Sequence, residues 1–412
     1  MTPSVDHNPQ AELLTPALPG ARAASRPIPR ADMRAGARPG LVVGVTSAQT
    51  CLVLSGRLRA LRLAGFDVTL ISSPGELLEQ RAEAEGVDAV AVQMERGIAL
   101  ISDLRSFLKL LFVLRRRRPA ITDFSTPKAG LLGNLAAWIL RVPHRVYTLR
   151  GLKLESSRGL KRWLLLWSER LAARCAHVVL CNSESLRFEA LILRIAPARK
   201  LRLLGHGSSN GVDTMRFSPG RSSVRRDLGI PDDDLVLGFV GRLTRDKGIP
   251  ELLVAFDEIL RAEPKCWLLL VGWFDAAEDA LELRWRTHIE NNPRIRHTGF
   301  VLDAAPYYRA MDVLVLPTHR EGFPNAALEA AASGVPVITT RTTGARDAVL
   351  AEVTGLLIPA EIPEAITEAA LELIRDEGKR RRMGTAARAW AEERFSNELV
   401  LGLAVGFYRG LL

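Results

Sequence analysis

The sequence predicts an α/β protein made of two doubly wound parallel sheets. Short apolar runs of strand length alternate with helical stretches in both halves of the chain, the pattern that successive βα units leave behind. A length of 412 residues with 47% hydrophobic content is enough to bury two such sheets. One of the runs, Leu235–Gly241, passes into a basic, glycine-flanked turn and then a helical pattern over Ile249–Leu260. Strand, turn and helix in that order make a phosphate site at the carboxyl end of a parallel strand.

Residues 1–39 are rich in Ala, Pro and Arg and carry no periodicity, so they read as a disordered tail. They lack a signal-peptide core, and either a misassigned start or a weak membrane tether fits them. Strand one is expected at Leu41–Val45. The loop after it, Thr46–Gly56, should face a cleft, which makes Gly56 a candidate acceptor-side residue. Further strands are expected at Phe66–Ser72, closed by Ser73-Pro74-Gly75, and at Val87–Met94, Ala120–Phe124, Arg145–Leu149, His177–Cys181 and Lys200–Leu204. Asp103, Arg105 and Lys109 interrupt Ile98–Leu114 too often for a bilayer span. It reads as an amphipathic helix whose closing run, Arg115–Arg118, offsets the negative helix end. A linker near Val212–Gly220 separates a first domain, 40–213, from a second, 214–389. The second repeats the pattern at Leu235–Val240, Cys266–Val271, Arg296–Thr298, Val313–Leu316 and Val335–Thr339, and a helical segment, 390–412, ends the chain.

The chemistry concentrates in Glu321–Gly334, EGFPNAALEAAASG, which sets Glu321 and Glu329 across a loop-to-helix junction. Pro324 suits a first helical position, where its missing amide would have been unpaired anyway, and Ala326–Ala332 is alanine-rich helix. Free amides at the helix start attract phosphate. One carboxylate can then face a ligand's sugar while the other holds a second part of the same ligand, a pattern that fits a nucleotide-sugar. The plainer alternative keeps Glu321 as a dipole partner and Glu329 as a surface residue. Arg242 can bridge two phosphate oxygens and Lys247 adds a point charge, unless both are solvated bases of an ordinary turn. Neither G-x-G-x-x-G nor G-x-x-x-x-G-K-[ST] occurs.

Three stretches of the second half follow one another in an ordered series: GFVGRLTRDKGIPELLVAF (Gly238–Phe256), DVLVLPTHREGFPNAALEAAASGVPVITTRTTGARDAV (Asp312–Val349) and TGLLIP (Thr354–Pro359). Together they resemble retaining glycosyltransferases of family four, of the GT-B type. STPKAGLLGNLAAW (Ser125–Trp138), RVYTLRGLKLE (Arg145–Glu155) and GHGSSNGVDTMRF (Gly205–Phe217) are similar to the bacterial branch that builds capsules, O-antigens and exopolysaccharides. The resemblance runs from Leu41 to the C-terminus. It implies two Rossmann-like domains facing a cleft, with the last helix returning to the first domain. It also implies that Arg242 and Lys247 hold the donor pyrophosphate and meet the leaving-group charge. Gly322, Phe323, Pro324 and Asn325 would line the phosphates or the sugar, Glu329 would take the ribose hydroxyls, and Glu321 would sit beside the donor sugar without acting as a covalent nucleophile.

Where the family often carries a histidine after strand five, this chain has Arg150. A guanidinium stays protonated at neutral pH, so Arg150 is no base; it binds an anionic acceptor or the donor phosphates, or pairs with an acidic neighbour. Asp123 stands where relatives often have His or Asn, and either binds acceptor or caps a turn. Lys128, ahead of an apolar helix, meets an acceptor diphosphate or remains a solvated loop lysine. His206 faces the cleft in the implied fold, where the resemblance implies a donor or acceptor contact; His319 is either a cleft residue or a packed one, and Asn210 and Gly211 supply a turn.

Cys51, Cys175, Cys181 and Cys266 form no C-x-x-C pair and read as reduced thiols of a cytoplasmic protein. The seven histidines are scattered and no D-x-D motif stands in a cleft loop, so neither a metal ion nor another cofactor is expected. Net charge is +10, with Arg96, Arg105, Lys109, Arg115–Arg118, Arg158, Lys161 and Arg162 in the first half. Trp163 and Trp167 lie four apart on one helix face. Bases with interfacial tryptophans suit an anionic membrane surface and a lipid-diphosphate-linked saccharide, unless the tryptophans belong to the core. No nucleic-acid recognition motif accompanies the charge. The expected activity is transfer of a sugar to a lipid-linked glycan, peripherally at the inner face of the cytoplasmic membrane, with UDP the common donor nucleotide among relatives. A non-catalytic nucleotide-sugar-binding or assembly module of the same fold is the alternative.

Overall fold

A computed structural model describes residues 38–95, 97, 99–275 and 279–412. Residues 1–37 of the tail expected over 1–39, the basic Arg96 and the helix start at Ile98 lie outside the described residues. Seven strands form the first sheet: β1 (Gly40–Gly44), β2 (Asp67–Ser72), β3 (Asp88–Ala91), β4 (Ile121–Ser125), β5 (His144–Leu149), β6 (Val178–Cys181) and β7 (Leu201–Leu203). Their order is β3-β2-β1-β4-β5-β6-β7. The second sheet holds β8 (Leu235–Val240), β9 (Cys266–Val271), β10 (Ile295–His297), β11 (Val313–Leu316), β12 (Val337–Thr340) and β13 (Gly355–Ile358), ordered β10-β9-β8-β11-β12-β13. Neighbouring strands run parallel in both, and helices cover the faces, so central strands such as β9 are buried along their whole length.

Each sheet reverses its winding once, between β1 and β4 and between β8 and β11. The crevice outside the carboxyl ends of strands at such a reversal is where open α/β sheets bind ligands. The loops after β8 and β11 are the ones that carry Arg242, Lys247 and Glu321.

Most strand bounds fall close to those read from periodicity. β3 stops at Ala91 rather than Met94: the Val92 amide makes the last backbone bond to β2, to the Ser72 carbonyl at 2.8 Å, and Met94 bonds the Ser73 hydroxyl instead. β12 starts at Val337, after Pro336, which has no amide to donate. β13 escapes periodicity altogether, being four residues long and opened by a glycine.

The helix Glu377–Phe395 packs on the second sheet's Asn325–Ala332 helix, breaks at Ser396 and continues as Asn397–Arg409 against the Arg57–Leu63 helix of the first sheet. The chain thus passes between the sheets twice, and the crossings are bonded together. Val212 N–H donates to the Phe395 carbonyl at 2.7 Å, and Asn397 N–H to the Val212 carbonyl at 2.9 Å. Gly211, at φ +68°, packs so tightly here that a Cβ would overlap the Phe395 carbonyl oxygen. Trp163 and Trp167 are 54% and 51% exposed on the helix Gly159–Cys175, with ring centroids 5.8 Å apart, so neither belongs to the core. The four cysteines are buried and free. Among the described residues no helix is long and apolar enough to cross a membrane.

Candidate active site

The two loops that sequence singles out are in contact. After β8 the chain turns through Arg242 and the short helical turn Arg245–Lys247 to Gly248, at φ +73°, which opens the helix Ile249–Ala262. A Cβ at Gly248 would overlap the carbonyl oxygen of Pro317, in the loop after β11. That loop leads to the helix Asn325–Ala332. Pro324 is its N-cap at ψ 110°, one residue outside the helix rather than in its first position. Two helix N-termini therefore open beside the same reversal point, and their unpaired amides and dipoles favour negative charge there.

Asp246, 5% exposed, ties the charges together. It accepts from the Thr244 hydroxyl at 2.6 Å and from Arg320 at 3.0 Å, and lies 4.0 Å from Arg242. Burial opposes its ionisation, but the Thr244 hydroxyl, Arg320, Lys247 and Arg242 together outweigh that and hold the carboxyl below its ordinary value. Arg242 also donates to Asp275 at 2.8 Å. Lys247 is ion-paired with Glu321, so the structure joins the base of one motif to the first acid of the other. Glu329 sits on the helix and accepts from the Tyr308 hydroxyl at 2.7 Å; burial raises its pKa against that hydrogen bond. Phe323 is buried with its ring against Phe395, 5.2 Å between centroids, which pins the loop to the crossing helix. Gly322 is buried in the same loop, and Asn325 begins the helix partly exposed.

The first sheet supplies the opposite wall. A Cβ on Gly322 would overlap the backbone oxygen of Arg150, so the loop after β5 presses directly on the Glu321 loop. Arg150 donates through Nε to Ser125 Oγ at 3.0 Å and through Nη1 to Ser209 Oγ at 2.7 Å. Burial and the neighbouring Arg57 lower its pKa to about 10, with Asp123 and Tyr408 opposing, so it stays protonated at neutral pH. Its direct partners are hydroxyls rather than the acidic neighbour that sequence allowed for.

Several first-half candidates are corrected by their surroundings. Asp123 is buried at 3% exposure, and both its oxygens are engaged, by Thr148 at 2.6 Å and by Tyr408 from the last helix at 2.5 Å. It holds the fold together rather than facing an acceptor. Lys128 is paired with Asp103 at 2.5 Å and donates to the Gly97 carbonyl, so it is not a solvated loop lysine. The Gly56 amide donates to Glu85 at 2.8 Å, leaving no backbone donor for an acceptor. His206 is exposed, accepts from Arg394 at 2.9 Å and lies by Phe395 at the crossing. His319 pairs with Glu251 at 3.1 Å, and that hydrogen bond raises its pKa over the opposing effect of burial. Asn210 and Gly211 are structural, as read.

Sequence reasoning missed Asp246, Arg320 and Asp275. Asp246 had a signal, a carboxylate placed between Arg242 and Lys247 in RLTRDKG. Asp275 had none, since it reaches Arg242 from the loop after β9.

Residues 220–390 match the family described as Glycosyl transferases group 1, and residues 53–207 the Glycosyl transferase 4-like domain. The capsular polysaccharide biosynthesis glycosyltransferase CapM of Staphylococcus aureus is 36% identical over 357 residues, covering 86% of this chain and 93% of CapM. The UDP-Gal:alpha-D-GlcNAc-diphosphoundecaprenol alpha-1,3-galactosyltransferase of Escherichia coli is 29% identical over 301 residues, 71% of this chain and 76% of that one. Sucrose-phosphate synthase from Thermosynechococcus elongatus superposes with a TM-score of 0.75 at 22% identity, over 91% of this chain and 99% of that one. HepE of Anabaena, solved with UDP and glucose, gives 0.74 at 20% identity over 89% and 99%. These last two likenesses concern the fold. With both halves matched and CapM aligned over nearly its whole length, the chain belongs to the group 1 glycosyl transferases and is a glycosyltransferase of the GT-B fold.

Proposed function

We propose that the protein transfers a sugar, with retention of anomeric configuration, from a UDP-sugar to a lipid-diphosphate-linked saccharide during assembly of a cell-surface polysaccharide. The observation that carries this reading is the convergence of Arg242, Lys247 and Glu321 at the β8/β11 reversal, beside two helix N-termini. Without a donor, Lys247 and Glu321 satisfy each other. A diphosphate takes Lys247 and leaves Glu321 to the sugar, while Asp246 and Asp275 keep Arg242 close by. Gly322–Asn325 line the same space with backbone, and Glu329 takes the ribose hydroxyls from Tyr308.

In the transfer step the acceptor oxygen attacks the anomeric carbon on the face from which the diphosphate departs. The C–O bond to phosphate breaks with its electron pair on the phosphate oxygen, and that oxygen takes the acceptor's proton. Arg242, Lys247 and the helix N-termini receive the developing charge, so the reaction runs without a resident metal ion. Glu321 steadies the oxocarbenium-like sugar, and Arg150 holds an anionic acceptor group on the facing wall. The names of two relatives support the substrates: the Escherichia coli enzyme is named for UDP-Gal and a diphosphoundecaprenol acceptor, and CapM for capsular polysaccharide. The site of action is the cytoplasmic face of the membrane, where the protein is peripheral.

The test is transfer to a synthetic polyprenyl-diphosphate saccharide, with the product's anomeric coupling read by NMR. The donor's anomeric configuration should persist in the product. An inverted linkage, or isomerisation of the UDP-sugar without any acceptor, would overturn the reading.

A further inference from the structure

Three helices of the first sheet, Leu100–Arg117, Pro127–Ile139 and Gly159–Cys175, pack side by side, the middle one against both others. Their outer faces are apolar. Leu104, Leu108 and Phe112 repeat at four-residue spacing along the first, and Phe112 is 65% exposed; Trp138 of the middle helix and Trp163 and Trp167 of the third are exposed with them. Single exposed apolar side chains need no explanation, but a surface shared by three adjoining helices marks an interaction site.

Charge decides what covers it. The three helices carry ten lysines and arginines against two acids, Asp103 and Glu169. Neither acid faces outward unpaired: Asp103 is held by Lys128, and Glu169 is buried beneath the Tyr147 hydroxyl. Arg105 and Lys109 are exposed among the leucines of the first helix, and Lys161 and Arg162 precede Trp163 on the third. A second copy of the chain would set these bases against their own kind. An anionic bilayer takes the apolar side chains into its interface and the bases onto its headgroups, and tryptophan is at home at that depth.

We infer that this three-helix face docks the protein on an anionic phospholipid bilayer. Its purpose rests on the lipid-linked acceptor proposed above. The first turns of the Leu100–Arg117 and Gly159–Cys175 helices follow the carboxyl ends of β3 and β5, the side on which the cleft lies. The cleft-side ends of these two helices thus belong to the docked face, and the cleft opens beside the surface in which such an acceptor is anchored.

The experiment is co-sedimentation of the full chain with vesicles of phosphatidylcholine alone or mixed equally with phosphatidylglycerol, at low and high salt. The protein should sediment with the anionic vesicles, less so at high salt, and hardly with neutral ones. Phe112→Ser, Trp163→Ser and Trp167→Ser combined should abolish binding. Arg105→Gln and Lys109→Gln should each weaken it by about fivefold, from about 1 kcal/mol per base near an anionic surface. Thermal stabilisation by a UDP-sugar, measured on the same variants, reports that fold and donor site are intact. Wild-type protein left in the supernatant with anionic vesicles would overturn the proposal, as would a triple variant that binds like wild type. A wild-type dimer made monomeric by the triple substitution, with no vesicle binding, would assign the face to a second copy instead. Vesicle binding requires neither donor nor transfer, so loss of the proposed reaction alone would leave this surface standing.

Discussion

Three bases converge on Asp246, and the carboxylate holds Arg320 and Arg242 within ion-pair distance while Lys247 turns to Glu321. That arrangement keeps cationic groups close together before any ligand arrives, as the proposed stabilisation of a leaving diphosphate requires. Replacing either Arg242 or Lys247 by alanine should lower kcat/KM by about a hundredfold to a thousandfold, the usual cost of deleting one preorganised charge donor. Steady-state kinetics checks this, and a variant within a factor of a few of wild type would remove that residue from the site. His319 gives a pH signature of its own. Its folded pKa lies above the ordinary 6.5 because it donates a hydrogen bond to the Glu251 carboxylate, which favours the charged imidazolium. Its contribution to stability is therefore complete below about 6.5 and is lost as pH rises through the higher folded value. Thermal unfolding across that window should show a falling melting temperature, flattened in His319→Gln. An equally steep slope in the variant would assign the effect to other groups.

At the scale of elements, legibility depended on where the partners lie. Apart from β13, the strands of both sheets, the helix after Pro324 and the β8 turn could be read because each is set by a local run of residues. The meeting of the segments that carry Arg242, Lys247 and Glu321 could be anticipated because each segment is short and follows a strand end of the same sheet. Asp123 and Lys128 could not: Tyr408 reaches Asp123 from the last helix, and Asp103 reaches Lys128 from the preceding one. Nothing near either residue in the chain announces those partners. The exposure of Trp163 and Trp167 was undecided for a similar reason, since a four-residue spacing fixes a shared face but not whether that face is inside. The contact of the two walls at Gly322 yields a sharp expectation. Gly322→Ala would drive a methyl group into the Arg150 carbonyl, so the loops must part. Overpacking of that kind costs about 1–3 kcal/mol, and here it also displaces Glu321. Both the melting temperature and kcat should fall, whereas unchanged values would mean that the walls are not in contact in solution.

Across the whole molecule, the chain passes between the sheets at Val212 and again at Ser396, and the passages are hydrogen-bonded to each other. The last helix then anchors in the first sheet through Tyr408, whose hydroxyl donates to Asp123 and accepts from Arg57 at 3.3 Å. Tyr408→Phe keeps the packing and removes only that link. It should cost about 1–3 kcal/mol, because a buried carboxylate and a buried guanidinium each lose a partner. Thermal unfolding reads the loss, and an unaltered midpoint would show that the hydroxyl does not brace the helix. Closure of the two sheets around a donor is the motion such an arrangement permits. The central claim is that Arg242 and Lys247 form the donor-diphosphate site. The most direct measurement of it is thermal stabilisation of the purified protein by a panel of UDP-, GDP- and ADP-sugars, repeated on Arg242→Ala and Lys247→Ala. A ligand that binds only the folded state must raise the melting temperature. The account predicts a rise with UDP-sugars that both variants lose. A rise of equal size in the variants would place the donor elsewhere in the molecule and contradict it.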